Sequence, residues 1–274
     1  MKQLLKADLR RFFKDKLFLV SLIVIGIFAI ITPLLFKLIA SISINSDIFV
    51  GTELDINEFF NAKSLSLNCF NLSSDVGFIL TIFLTILICK DFSYGTIRNK
   101  VVSGHTRHNI YLSSLITSII FLVALILGYY LLNLGVSLCL FPFANGDLSS
   151  KEIGIYIVSI LLELLIYIAV ASFINMLVFI FKSPVLPIVI FLGLIFLASI
   201  LVMVNSFMVD ESAATYKFIT WLIKIVPSLQ SSSLLSFNES TTFKDIYPIL
   251  VSNVIYIGGS IPLGILIFNK SDLK

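Results

Sequence analysis

Long uninterrupted apolar segments constrain this chain more than any other feature. A helix needs about 20 mostly apolar residues to cross the hydrocarbon core of a bilayer. Six runs of the sequence reach that length, at roughly 17–39, 69–89, 110–141, 153–181, 184–206 and 246–268. With 58% hydrophobic and only 13% charged residues, little chain is left over for a soluble domain. We therefore predict an all-α polytopic membrane protein, in which residues 1–274 form a single transmembrane domain with six spans.

The distribution of Lys and Arg predicts how these spans are oriented. Positive residues concentrate in the first 16 residues, in residues 90–108, at Lys182 between the fourth and fifth runs, and at the C-terminus. Most Asp and Glu residues lie in the segments at the opposite ends of the runs. Because cytoplasmic loops carry an excess of Lys and Arg, we predict that both termini and residues 90–108 are cytoplasmic.

The first 16 residues have the pattern of an amphipathic helix. Leu5, Leu9 and Phe12 recur at helical spacing, with Lys and Arg between them. A basic helix of this kind lies in the membrane interface, which predicts an interfacial helix on the cytoplasmic side. It either serves only as an orientation anchor or also braces a cytoplasmic partner.

The densest polar cluster of the chain lies between the second and third runs and reads CKDFSYGTIRNKVVSGHTRHN. We predict a short helix here, with Asp91 or Ser93 as its N-cap and Gly104 ending it in a left-handed conformation. Thr106 or Asn109 would then cap the third span. The simpler interpretation is a positive loop that only sets topology. Polar residues that continue into the third run favour a shaped elbow.

This segment resembles the one between the second and third spans of type-2 ATP-binding-cassette exporter permeases, especially those of Gram-positive bacteria. Members of that family read roughly as an acidic residue, Gly-Thr-Ile-Arg-Asn-Lys, Ser-Gly-x-x-Arg and a Tyr in the next helix. Here Ser103 and Tyr111 match as well, and Asp91 stands where the family usually has Glu. The strong similarity covers about a tenth of the chain.

The resemblance implies that a short cytoplasmic coupling helix docks on a separate ATPase subunit. It also implies a unit of two permeases, identical or different, with two ATPases in a bacterial plasma membrane. The implied ATPase-coupling residues are Asp91, Tyr94, Gly95, Thr96, Ile97, Arg98, Asn99, Lys100, Gly104 and Arg107. The sequence contains no Gly-x-x-x-x-Gly-Lys-Ser/Thr phosphate loop. ATP and Mg would therefore be bound by the partner, and this chain would be no enzyme and hold no cofactor.

Glu163 lies inside the fourth run, where a charge costs roughly 2.5–3.5 kcal/mol on insertion scales. We expect it to face the bundle, to stay protonated or to be paired, with Asn133, Ser137 or Ser159 as candidate partners. It either links helices or lies in the substrate path. His105 and His108 are too few ligands for a metal site, and we predict none.

The function predicted from the sequence is that of an exporter subunit for an amphipathic substrate, such as an antimicrobial or toxin peptide, a drug or a lipid-like compound. A nearly charge-free set of spans favours cargo taken from the membrane itself and gives no sign of nucleic-acid binding. One alternative is a permease-like sensor or immunity component that is coupled to an ATPase. An ion-coupled secondary transporter and a membrane enzyme are two others.

Overall fold

The long apolar runs of the sequence become long helices in the structure, a computed structural model. It describes residues 2–45, 61–72, 75–144, 149–207, 217, 219–221, 226–234, 237, 241 and 243–271. Within these ranges, all regular secondary structure is helical. The helices are α1 (Lys2–Lys14), α2 (Lys16–Asn45), α3 (Ala62–Asn68), α4 (Asp75–Ser93), α5 (Thr96–Val102), α6 (Arg107–Leu140), α7 (Ser150–Phe181), α8 (Val185–Phe207), α9 (Pro227–Leu234) and α10 (Phe243–Lys270). The prediction of an all-α membrane protein is confirmed.

Five helices in the described part of the chain are long and apolar enough to cross a membrane. These are α2, α4, α6, α7 and α10. The predicted fifth span, 184–206, forms α8, but its described apolar stretch covers only Val185–Leu201. At 1.5 Å per residue the whole of α8 is about 34 Å long, which matches the thickness of a bilayer core.

The second span begins later than the sequence predicts. Residues 62–68 form the separate helix α3, the chain then turns, and α4 starts at Asp75 and continues past residue 89 to Ser93. Cys69, Phe70 and Leu72 are apolar because they are buried in protein rather than in lipid. An apolar run does not distinguish these two environments, so the predicted start at residue 69 is wrong.

Helix α1 packs against the bundle along a face that the apolar pattern does not mark. Leu4, Asp8 and Phe12 are its buried residues, spaced four apart. The Phe12 ring meets Phe121 of α6 edge-on, with the ring centroids 6.2 Å apart. An acidic residue thus lies in the middle of the buried face, where a purely amphipathic helix would carry an apolar one.

The centre of the bundle is built from α6, α7 and α10. Phe179 of α7 makes edge-on ring contacts with Tyr111 of α6 and Phe268 of α10, each with centroids 4.9 Å apart. A Cβ atom on Gly264 of α10 would collide with the ring of Tyr111, so only glycine allows α6 and α10 to approach this closely. These contacts lie near the start of α6, which follows the elbow helix α5 in the chain.

Candidate coupling site at the elbow between α4 and α6

The short helix predicted between the second and third spans exists, and two glycines shape its ends. Gly95 before α5 and Gly104 after it both have positive φ, of 65° and 88°. Thr106 caps α6, since its hydroxyl accepts the N–H of Asn109 at 3.4 Å. These observations confirm the predicted helix, the left-handed Gly104 and the Thr106 cap.

The predicted N-cap of α5 is wrong. Asp91 and Ser93 lie inside α4, which continues to Ser93, and the backbone N–H of Tyr94 still donates to the carbonyl of Lys90 at 2.9 Å. The residue that precedes α5 is Gly95, which has no capping side chain. The left-handed turn at Gly95 therefore separates α4 from α5, because residues other than glycine pay about 1–2 kcal/mol for that conformation.

A buried cluster of charges fixes the inner face of α5. The cluster consists of Asp8 and Arg11 of α1, Asp91 of α4 and Lys100 of α5. Lys100 Nζ lies 2.7 Å from Asp8 Oδ1 and 3.7 Å from Asp91 Oδ2. Arg11 forms an ion pair with Asp91, and its Nη2 lies 3.8 Å from Asp8 Oδ1. Two cations and two anions thus compensate one another, which allows Asp8, Asp91 and Lys100 to be buried while Arg11 is partly exposed.

A hydroxyl on α6 extends the charge cluster to a fourth helix. Ser113 donates to Asp8 Oδ2 at 2.7 Å. Asp8 therefore contacts both Lys100 and Ser113, and it links α1, α5 and α6 at one point. Removal of one partner from a buried ion pair typically destabilises a protein by about 3–5 kcal/mol. The cluster thus attaches α5 firmly to the helices around it.

A second ion pair joins the α1–α2 junction to α4. Lys90 Nζ lies 2.7 Å from Asp15 Oδ1 and 3.0 Å from Oδ2, and Asp15 Oδ1 also accepts the N–H of Leu17 at 2.8 Å. Partial burial raises the pKa of Asp15, but the hydrogen bonds and the charge of Lys90 outweigh it, so the pKa of Asp15 is lowered from its ordinary value. The carboxylate is thus ionised at neutral pH.

Arg107 connects the elbow to the last helix. Its Nη1 donates to the carbonyls of Phe268, Asn269 and Ser271 at 3.0, 2.8 and 2.7 Å. The last carbonyls of a helix lack intrahelical partners and lie at the negative end of the helix dipole, so a guanidinium is well suited to them. Arg107 therefore binds the C-terminal end of α10 instead of pointing outward.

The outer face of the elbow has a different composition. Tyr94 and Val102 are exposed over 73% and 81% of their surface, and Arg98 and Asn99 are exposed beside them. Within the described residues Arg98 has no ion pair. We call these four residues the outer face of α5. An exposed aromatic ring beside an unpaired guanidinium is typical of a protein-binding patch.

The structure divides the predicted coupling residues into two groups. Asp91, Ile97 and Lys100 point inward, and Arg107 links the elbow to α10. Tyr94, Arg98 and Asn99 point outward, while Gly95, Thr96 and Gly104 shape the helix ends. The sequence motif does not reveal Asp8 and Arg11, because both lie in α1, outside the motif, and Asp8 lies off the predicted apolar stripe.

Glu163 is only 1% exposed and belongs to a separate network near the middle of α7. Both of its carboxyl oxygens lie 2.9 Å from Ser231 Oγ of α9. Asn133, Ser137 and Ser159 are not its partners: Ser137 donates to Asn133 at 3.2 Å, and Ser159 Oγ has no hydrogen bond among the described residues. The predicted partners are wrong because α9 has no marked pattern in the sequence.

Hydrogen-bond counting indicates which form of Glu163 fits this network. Ser231 Oγ accepts the N–H of Leu72 at 3.1 Å and lies 3.1 Å from the carbonyl of Phe70, yet its hydroxyl has only one hydrogen to donate. A neutral Glu163 donates to Ser231, and Ser231 then donates its one hydrogen to Phe70. These are the contacts of an interhelical link; a role in the substrate path stays a prediction.

Comparison with known proteins places the chain in a family. No curated protein matches it. The family profile described as "Protein of unknown function (DUF2705)" matches residues 44–274, from the end of α2 to the C-terminus. The matched part includes the elbow, Glu163 and four of the five candidate spans. The chain therefore belongs to the DUF2705 family of proteins of unknown function.

Proposed function

We propose that this chain is the membrane subunit of an ATP-driven exporter, and that a separate ATPase subunit docks on the outer face of α5. The observation that supports this most is the two-sided construction of the elbow. Its inner face is held by buried ion pairs, whereas Tyr94, Arg98 and Val102 are left exposed. A loop that served only to set topology would need neither the buried charges nor the fixed ends.

The contacts of α5 give a path by which a push from a partner reaches the membrane helices. Lys100 transmits it to α1 and α4 through Asp8 and Asp91. Beyond Gly104 the chain enters α6, and Arg107 joins the start of α6 to the end of α10. A displacement of α5 is thus shared by several helices at once, which is what an ATP-driven conformational change requires.

The proposed topology has six spans, with α8 as the fifth, and places α1, α5 and both termini in the cytoplasm of a bacterium. Its support is that segments predicted to share the cytoplasmic side meet at one end of the bundle. Asp8 contacts Lys100, Arg107 contacts Ser271, and Phe92 packs on Phe179 with centroids 5.1 Å apart.

In this proposal the chain itself carries out no ATP chemistry. ATP and Mg are bound by the partner subunit, and two permeases pair within the membrane. The cargo is amphipathic, because the spans are almost entirely apolar and offer few charges to hold an ion or a sugar. The network around Glu163 supports the outer half of the bundle and is separate from the elbow.

The test is purification of the tagged chain from its native membranes, followed by identification of bound proteins and an ATPase assay in lipid. We expect an ATP-binding-cassette ATPase to co-purify with the wild type. Arg98→Glu and Val102→Asp should remove it, because they place acids on the outer face of α5. Lys270→Glu is the matched control, since Lys270 is exposed at the same end of the bundle.

Two results would contradict the proposal. One is a wild-type chain that retains no ATPase when it is purified from its own cells. The other is a pair of outer-face variants that insert into the membrane and still bind the ATPase and support transport as well as Lys270→Glu does.

A further inference from the structure

A cavity of about 390 Å³ lies on the side of the bundle, far from the elbow. Its walls come from α2, α3, α4 and α6. One face of α2, including Ile31, Leu35 and Ile39, forms one wall, and Leu65 and Tyr129 lie opposite. Its volume falls within the range of about 300–1,000 Å³ that is usual for small-molecule sites.

Two hydrogen bonds attach α2 to α6 beside the cavity. Ala29 is fully buried, and its carbonyl accepts a hydrogen bond from Asn133 of α6 at 3.4 Å. Two turns later Lys37 Nζ donates to the carbonyl of Leu140 at the end of α6, at 3.2 Å. Between these two links α2 lines the cavity, and it contains Pro33 at this level, where a helix bends readily.

The lining of the cavity indicates the chemistry of what it can hold. None of the described residues that line it is charged. Most are aliphatic or aromatic, while Asn68 and Asn71 place two amides at the α3 end. Asn68 Nδ2 donates to the carbonyl of Ser64 at 3.1 Å, so the Asn68 side-chain oxygen is the atom that can accept a hydrogen bond from a ligand. An apolar chain with an uncharged hydrogen-bond donor at one end fits this arrangement.

The position of the cavity favours entry from the membrane. The α2 wall of the cavity begins at Phe28. At 1.5 Å per residue, Phe28 lies roughly 18 Å along the helix from Lys16, so the wall is in the half of the bundle away from the charge cluster. Ile31, Leu35 and Ile39 are exposed on the bundle surface, where lipid would lie. The described residues of the α2 wall thus offer an occupant an apolar route from the membrane side.

We propose that this cavity binds a single-chain amphiphile, with its chain against α2 and an uncharged donor head at Asn68. A methylene group occupies a volume similar to that of one water molecule in the liquid, ~30 Å³. The cavity therefore holds roughly a dozen carbon-sized groups, which is enough for one chain and not for two. This binding does not depend on an ATPase. Identification of the occupant as cargo rests on the proposed exporter function.

The experiment is photo-crosslinking of the full chain in phosphatidylglycerol vesicles, with a fatty alcohol that carries a diazirine in its chain. Labelled residues are located by mass spectrometry. We expect insertion into Phe36 and Tyr129 well above that at Phe196, an exposed residue of α8. Thr32→Trp fills the cavity from α2 and should lower this labelling about tenfold, because each excluded methylene weakens binding about fourfold. Asn68→Leu should lower it about fivefold.

Leu34→Trp is the matched control, since Leu34 lies on the same helix, is exposed and does not line the cavity. Circular dichroism and gel filtration check that each variant folds. Equal labelling in Thr32→Trp and Leu34→Trp would overturn the proposal, as would labelling that is uniform over the lipid-facing residues. A diazirine-labelled diacyl phosphatidylcholine that labels Phe36 as strongly as the alcohol would also overturn it, because ordinary bilayer lipid would then be the occupant.

Discussion

Replacement of Lys100 by Met tests whether the charge cluster holds α5 in place. The substitution keeps a long side chain at a buried position and removes the charge that lies 2.7 Å from Asp8. Asp8 then keeps only Ser113 and the more distant Arg11, at 3.8 Å, as partners. Loss of one member of a buried ion pair costs about 3–5 kcal/mol. At 1.4 kcal/mol per tenfold change, the population of the open state of the elbow relative to the closed state rises by a factor of about 100 to 4,000.

Hydrogen exchange followed by mass spectrometry, on the protein in lipid nanodiscs, measures this change. We expect faster exchange in peptides from α1 and α5 and unchanged protection in the middle of α6, because the loss is local to the elbow. Arg98→Met is the matched control: it removes a cation from the exposed face of the same short helix and should change protection by less than ~0.5 kcal/mol.

A double-mutant cycle separates the ion pair from other effects of the substitution. Asp8→Asn combined with Lys100→Met leaves Arg11 and Asp91 as a compensated pair, so the double variant should lose less stability than the sum of the single variants. The reasoning is refuted if the Lys100→Met and Arg98→Met variants show the same hydrogen-exchange rates in α1 and α5. It is also refuted if the stability losses of Asp8→Asn and Lys100→Met simply add in the double variant.

Three further predictions concern other links in the bundle. The pKa of Asp15 is lowered in the folded state, so its bond to Lys90 should stabilise the α1–α2 junction above about pH 4 and be lost as pH falls through the lowered pKa; exchange rates measured on both sides of that pKa test this, and Lys90→Met should abolish the difference. Gly95→Ala should destabilise the start of α5 by about 1–2 kcal/mol, because φ is 65° there, and protection of α5 reports it. Glu163→Gln should leave the thermal midpoint nearly unchanged, since an amide still donates to Ser231, whereas Glu163→Leu should cost about 1–3 kcal/mol; equal midpoints would exclude the hydrogen-bond role.

The features that follow from local chemistry were predictable from the sequence. An apolar run of about 20 residues usually forms a membrane-spanning helix. Five of the runs form helices that are long and apolar enough to cross a membrane. Gly104 and Thr106 mark a helix end and a helix start within three residues, so the short helix before them follows from the same local rules. The assignment of residues to the inner and outer faces of the elbow was not predicted, because the motif places cations on both faces.

The features that depend on long-range pairing were not predictable. Asp8 meets Lys100 and Ser113, which lie about a hundred residues away, and Glu163 meets Ser231 in a short polar helix with no apolar periodicity. A solvated charge and a buried, compensated charge look identical in one sequence. The predicted start of the second span at residue 69 was wrong for a similar reason. Phe70 and Leu72 are apolar and buried within the protein, and the sequence does not distinguish such residues from those that face lipid.

The origin of the charge cluster bears on how the elbow is assembled. The family match begins at residue 44, so it includes Asp91 and Lys100 but not Asp8 and Arg11 of α1. Without α1, Asp91 and Lys100 would have only each other, with Nζ and Oδ2 3.7 Å apart, and each would lose its shorter contact. The N-terminal helix is therefore a structural part of the elbow. It supplies one charge of each sign, so that a short helix with a buried lysine and a buried aspartate beside it can close against the bundle without net charge.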